Sequence, residues 1–213
     1  ALPICSAPIG VEEELRRVPL ALDALLGGCD LGPALLSVDT QFRVVAQAAF
    51  DRLAAAGMAD RFVANDVSCL RADPELAPWI ADVGCPAIIM AAHDRPGDSL
   101  GVPETIADLE RGLETLARLG VETSARVIVD PAIGRWTAQK TARYDCELIR
   151  DLEAFRRLGC PVLVGISRKS FVGEITGERD PAGRLAGTQA ATAVAVFRGA
   201  HVVRTHDVTR DTV

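Results

Sequence analysis

Arg126-Val127-Ile128-Val129-Asp130-Pro131-Ala132-Ile133-Gly134 is the stretch whose reading decides the fold. The run Val127-Ile128-Val129 is too short for a helix and too continuously apolar for a strand with one wet face. It reads as a strand buried on both sides, the habit of parallel sheets. The carboxylate that ends it is followed by a Pro/Gly turn and not directly by a helix. That turn holds the backbone so that Asp130 can face the space beyond the strand end.

The same short apolar run recurs on both sides, at Leu35 to Val38, Arg61 to Ala64, Pro86 to Met90, Pro161 to Val164 and His201 to Val203. Between the runs lie helical stripes: Phe42, Val45, Ala46, Ala49 and Leu53; Ile106, Leu109, Leu113 and Leu116; Leu148, Leu152, Phe155 and Leu158. Gly57, Gly120, Gly159 and Gly199 stand where helix C-caps belong. Val11 to Leu26 reads as a leading helix kinked at Pro19, and Leu185 to Phe197, almost all Ala, Thr and Val, as a helix covered on several sides. The strands repeat every 33 residues or so, roughly the length of a βα unit.

Two topologies use that order. A doubly wound sheet wants a glycine-rich first turn, and neither G-x-G-x-x-G nor a Walker loop is present. A TIM (β/α)8 barrel gathers polar residues from many strand ends onto one face. Here the strand ends carry Asp39, Asn65, Asp66, His93, Asp130, Ser167 to Ser170, Arg204 and His206, so the barrel is favoured. Only about six strands can be counted against eight, in a fold of about 250 residues. The expectation is an incomplete barrel, β3 to β8, forming one domain over 1–213. It would lack the first two βα units at its N-terminus and most of the last helix at its C-terminus.

Composition narrows the function. The 213 residues carry a net charge of −6, with 49% hydrophobic, 24% charged and 4% aromatic residues, as in one globular domain. The acidic balance disfavours nucleic acid and anionic membrane as partners, and any anion site must be local. No run approaches the roughly 18 apolar residues that span a bilayer. Cysteines at 5, 29, 69, 85, 146 and 160 form no C-x-x-C pair and read as reduced thiols of a cytoplasmic protein.

Several strand-end residues have an ordinary structural reading beside the functional one. Asp39-Thr40 and Asn65-Asp66 suit plain N-caps. Gly165-Ile166-Ser167-Arg168-Lys169-Ser170 has the outline of a G-x-S-x-G elbow, but Lys169 stands in the fifth position, which removes the serine-hydrolase reading. Two cations and two hydroxyls there make either an anion cradle or a solvated turn. Arg204 offers a planar fork suited to phosphate, and His206, two residues on, falls on the same side of an extended strand. His93 lies in a polar loop and His201 opens a strand. Asp39, Asn65, Asp130, Lys169 and Arg204, if brought together, would form a pocket with an amide and carboxylate side and a cationic side. Its ligand would be part guanidine-like and part anionic.

At these residues the sequence resembles the dihydropteroate synthase family of pterin-binding barrels. Ser37-Val38-Asp39-Thr40, Asn65-Asp66-Val67-Ser68, Asp130 to Gly134, Gly165 to Gly173 (GISRKSFVG), Arg184-Leu185-Ala186-Gly187-Thr188 and Arg204-Thr205-His206-Asp207-Val208 follow that family's order. The resemblance implies transfer of a pterinylmethyl group from its diphosphate to an arylamine (p-aminobenzoate or a related aminobenzene), in folate or methanopterin synthesis, with pyrophosphate released. It implies Asp130, Lys169 and Arg204 as catalytic residues. Asp39, Asn65, Met90, Asp130, Gly165 and Lys169 would bind the pterin, and Ser170, Arg204 and His206 the pyrophosphate or arylamine. Mg2+ is implied as cofactor with no ligand in this chain, and a homodimer as the state of assembly.

The departures are equally specific. The family's first-strand loop with its asparagine is absent. So is the serine-threonine-arginine loop, unless Cys5-Ser6-Ala7-Pro8 is its remnant. Arg135 precedes the aromatic Trp136, and the usual Met-His pair reads Met90-Ala91-Ala92-His93. A methyltetrahydropterin-dependent methyltransferase and a non-catalytic pterin-binding paralogue are the alternatives; the first needs no pyrophosphate site.

Overall fold

The computed structural model describes residues 9–28 and 30–208. Cys5-Ser6-Ala7-Pro8 lies outside them. In chain order the elements are α1 (Val11–Gly28), β1 (Leu36–Asp39), α2 (Arg43–Ala55), β2 (Phe62–Asp66), α3 (Leu76–Val83), β3 (Ala87–Met90) and α4 (Gly101–Arg118). Then come the single turn α5 (Thr123–Arg126), β4 (Val127–Asp130), α6 (Ala142–Arg150), β5 (Leu163–Val164), α7 (Ser170–Thr176), α8 (Leu185–Phe197) and β6 (Val202–Val203).

The first four strands pair in parallel in sequence order, β1-β2-β3-β4, and β5 pairs in parallel with β6. A parallel bridge from Val129 to Val162 joins the two sets into one arc of a barrel. Alternation along the strands sorts the side chains. Phe62, Ala64, Ala87, Ile89, Val127, Val129, Val162 and Val164 belong to the large core shared with the helices. Val63, Ile88 and Leu163 form a second, small buried cluster with Ile128 and Val202 packed on it. Those five lie on the other face of the sheet, so they are a layer of the barrel interior.

The strands expected from sequence all appear, shifted by a residue or two. The helices from Phe42, from Ile106 and over Leu185 to Phe197 appear as well. Three expectations need correction. The leading helix runs unbroken through Pro19 to Gly28. The stripe at Leu148 to Leu158 is two elements: α6 ends at Arg150, and a 3-10 segment, Leu152–Leu158, carries the remaining apolar residues. The flanking strands are not buried on both faces, since β1 is buried only at Val38 and β6 is half-buried. Each ends the arc with one neighbour strand among the described residues.

α8 departs most from expectation. Its buried residues are Thr188 and Ala195, while Leu185, Val194, Val196 and Phe197 are exposed, Phe197 at 85%. Apolar composition without a clear stripe leaves the buried face unreadable from sequence.

Candidate active site

Period-2 geometry places the candidate residues. Asn65, Met90, Asp130, Gly165 and Arg204 each stand two positions beyond Val63, Ile88, Ile128, Leu163 and Val202, the interior layer, and so face the same way one layer nearer the strand ends. Asp39 joins them, pairing in register with Asn65, and Met90 pairs with Asp130. All six gather at the C-terminal mouth of the arc.

Asp130 is the pinned centre. Its Oδ1 accepts the Ala132 backbone N–H at 2.8 Å, which folds the Pro131-Ala132 turn back on the carboxylate. Ala132 takes a left-handed φ of +60°, unusual for a residue with a side chain, so the surroundings must hold it. Two charged side chains do so from below. Lys140, fully buried, donates from Nζ to the Ala132 carbonyl at 2.6 Å and to the Gly97 carbonyl at 3.5 Å. Asp145 accepts the Gly134 N–H on Oδ1 at 2.7 Å. Burial drives the Lys140 ammonium down to about 8, against the attraction of Asp145 and Asp130. Burial likewise raises the Asp130 carboxyl above the ordinary range, opposed by the Ala132 N–H, Lys169 and Arg204.

Lys169 faces this turn. Its Nζ lies 4.9 Å from the centre of the Trp136 ring, a cation–π contact. Burial lowers its pKa, with Asp130 opposing. Gly134 makes the approach possible: at φ +125°, a Cβ there would stand 2.8 Å from Lys169 Nζ. Asp130 and Lys169 thus share one low-dielectric space, each pushed toward its neutral form while the other resists.

Across the mouth, Arg204 Nη1 lies 3.6 Å from Asp39 Oδ2, linking the last strand to the first. Asp39 is crowded by protein on one side and open to solvent on the other. Desolvation raises its pKa, against Arg204 and a hydrogen bond from Asn65. His206 donates its backbone N–H to Ser167 Oγ at 3.1 Å and brings Nδ1 to 3.0 Å from the same oxygen. Arg168, also left-handed at φ +57°, pairs with Asp207 at 2.5 and 3.1 Å.

The structure therefore brings together Asp39, Asn65, Met90, Asp130, Gly165, Lys169 and Arg204, with His206 on the neighbouring loop. The anion cradle expected at Ser167 to Ser170 is only half open, because Arg168 is spent on Asp207 and the Ser167 hydroxyl on His206. Ser170 begins α7, a helix of just 7 residues, and its buried Oγ has no partner among the described residues. Asp66 takes the ordinary reading: its carboxylate binds Ser68 and the Leu70 N–H in its own loop. His201 accepts the Val162 N–H on Nδ1 and is structural. His93, on the β3–α4 loop, pairs with Asp108 of α4. Lys140, Asp145 and the Arg168–Asp207 pair were not singled out in the sequence; their positions follow no periodicity and only the turn's geometry reveals them.

Among the described residues no set at the mouth suits Mg2+, which asks for an octahedron of oxygens. Asp39 and Asp130 there are faced by Arg204 and Lys169. Elsewhere His93, Glu104 and Asp108 approach one another, but Asp108 is already bound by Arg111, Ser99 and His93.

Comparison with known proteins shows the family. The family model described as "Pterin binding enzyme" matches residues 5–206. A dihydropteroate synthase of Synechocystis is 34% identical over 209 residues, covering 94% of this chain and 67% of the relative. A probable bifunctional folylpolyglutamate synthase/dihydropteroate synthase of Haloferax volcanii is 37% identical over 206 residues; the chain spans only 23% of that relative's length. The solved dihydropteroate synthase of Xanthomonas albilineans in complex with 7,8-dihydropteroate superposes with a TM-score of 0.78 at 35% identity, covering 94% of this chain and 70% of that one.

Proposed function

The chain belongs to the dihydropteroate synthase family of pterin-binding enzymes, and from that premise we propose that it carries the pterin half and part of the pyrophosphate half of a synthase site. The protein joins 6-hydroxymethyl-dihydropterin diphosphate to an arylamine. The observation that carries the reading is the meeting of Asp130, Lys169 and Arg204 at one mouth, with Asp39 and Asn65 beside them.

The roles follow from chemistry. The amino-pyrimidinone edge of a pterin offers two parallel N–H donors, which one carboxylate can accept together; Asp130, set at a fixed angle by its turn, takes them. Asn65 and Asp39 add hydrogen bonds, Lys169 donates to the ring's acceptor side, and Met90 and Gly165 wall the slot. Breaking the methylene C–O bond sends the electron pair to the diphosphate and leaves positive charge on the pterinylmethyl carbon. Carboxylates near the ring favour that carbon, and Arg204 with His206 favours the departing anion. The arylamine nitrogen then forms the new C–N bond and gives up a proton. The buried Ser170 Oγ, without a partner among the described residues, is assigned to the acceptor or the phosphate. Magnesium enters only as counter-ion of the diphosphate, with no ligand assigned to this chain.

A second copy of the chain is the proposed partner. Ile149, Phe171, Ile175, Ala191 and Val194 line an apolar groove, and α8 also exposes Phe197, apolar surface that a second copy would cover. No helix of the described residues is long and apolar enough to cross a membrane, and a cytoplasmic location accords with the free cysteines.

The test uses the product of the complete reading frame with hydroxymethyl-dihydropterin diphosphate, p-aminobenzoate and Mg2+. Stoichiometric release of pyrophosphate with formation of the pterin–arylamine adduct is expected. Absence of release with p-aminobenzoate and with related aminobenzenes would remove the synthase reading.

A further inference from the structure

We propose that Ser167, Arg168, His206 and Asp207 are positioning residues that clasp the loop after β5 to the loop after β6, so that the pterin and pyrophosphate halves of the site tighten each other. The inference rests on the functional reading above and extends it to how the two halves communicate. The β5 loop delivers Lys169, and the β6 loop delivers Arg204 and His206. Two ties join them at consecutive positions on both sides: Ser167 to His206 and Arg168 to Asp207.

The first tie also favours one tautomer. Ser167 Oγ accepts the His206 backbone N–H and has its own hydrogen to give to Nδ1 at 3.0 Å. A neutral imidazole held that way carries its proton on Nε2, pointing a donor away from Ser167 and toward an incoming anion. His206 is also held below its ordinary pKa by burial and by Arg168 and Arg204, so this neutral donor is the resting form.

The second tie explains why a side-chain-bearing residue sits at φ +57°. Arg168 is gripped at three points. Its N–H donates to Thr188 Oγ1 at 3.1 Å, its carbonyl accepts Arg184 Nη1 at 3.0 Å, and its guanidinium is bidentate on Asp207. The left-handed turn at Arg168 sets the direction in which Lys169, the next residue, leaves the strand. A shift of Asp207 on phosphate binding is therefore felt at Lys169, and a shift of Lys169 on pterin binding is felt at Arg204. A purely structural ion pair would hold both loops without linking the two ligands.

The experiment measures calorimetric affinity for 6-hydroxymethylpterin without and with saturating inorganic pyrophosphate. Coupling in the wild type is expected at about fivefold or more, the lower end of ordinary site–site coupling. Asp207→Asn keeps size but removes the charge and one of the two oxygens that accept from Arg168. It should bring the coupling close to one while changing either single-ligand affinity less, and the exchanged pair R168D/D207R should restore part of the coupling. Hydrogen exchange without ligand gives an independent readout: D207N should speed exchange in both 165–170 and 204–207. Coupling unchanged in D207N, absent in the wild type, or faster exchange in 204–207 alone would overturn the clasp. A wild type that binds neither probe would overturn the functional reading together with it, whereas binding of both without coupling overturns the clasp alone.

Discussion

Replacing Lys140 by methionine should change how stability depends on pH, and the size of the change can be worked from the site. The Lys140 ammonium is fully buried, with carbonyl acceptors at Ala132 and Gly97, and its pKa falls from 10.5 to about 8. A lowered pKa means that the unfolded chain holds this proton more tightly than the folded one. Stability contributed by this group therefore rises as pH passes from about 8 toward 10.5. At about 1.4 kcal/mol per pKa unit, the whole window is worth ~3 kcal/mol, of which ~2 kcal/mol appears between pH 7 and 9.5. Urea unfolding of wild type and Lys140→Met at pH 7, 8.5 and 9.5 reads that share, with Lys140→Met in an Asp145→Asn background as the control for the coupled carboxylate. The gap between the two should widen in favour of the wild type by ~2 kcal/mol over the range. At pH 7 the variant should already be less stable, by ~3 kcal/mol, because Asp145 loses its buried counter-charge and the Ala132 carbonyl its donor. Adding Asp145→Asn should recover part of that loss. Parallel pH dependence in the two proteins would show that the fold does not lower the Lys140 pKa, and would contradict its burial as an ammonium under the Asp130 turn.

Further outcomes concern the mouth itself. Asp130→Asn should weaken binding of 6-hydroxymethylpterin by about 1.5 to 3 kcal/mol in calorimetry, the value of hydrogen bonds to a charged acceptor; unchanged affinity would reduce Asp130 to a turn residue. Arg204→Ala should cost the pterin diphosphate more than the pterin alone, and equal losses would detach it from the leaving group. Gly134→Ala drives a methyl against Lys169 Nζ in a backbone region closed to alanine, so pterin affinity should fall at least tenfold, a cost of about 1.4 kcal/mol or more. Because burial raises the Asp130 pKa, pterin affinity should be full above that raised value and decline as pH falls through it, at higher pH than an exposed carboxylate would give. A profile flat down to the ordinary aspartate range would contradict the shared low-dielectric space.

The fold was legible because parallel strands buried on both faces write themselves as short β-branched runs, and β2, β3 and β4 fit that pattern closely. The placement of the candidate residues was legible for the same reason: once the strands are placed, a residue two beyond the interior layer must face the mouth, which covers Asn65, Met90, Asp130, Gly165 and Arg204, and Asp39 follows by its register with Asn65. What escaped depends on turns. Lys140 reads as one more polar loop residue, and nothing in the spacing from Asp130 says that its chain doubles back under the carboxylate. Arg168 looks like half of a cationic cradle until Asp207, 39 residues on, is seen to occupy it. The surface of α8 escaped for a different reason, since a run of Ala, Thr and Val contrasts too little to mark one side.

The most direct test of the whole account is the structure of the protein with 6-hydroxymethylpterin diphosphate bound. The bicycle should lie in the mouth with its amino-pyrimidinone edge on both oxygens of Asp130, Lys169 on the opposite edge, and the phosphates against Arg204 and Nε2 of His206. A ring seated elsewhere, or one that leaves Asp130 untouched, would contradict it.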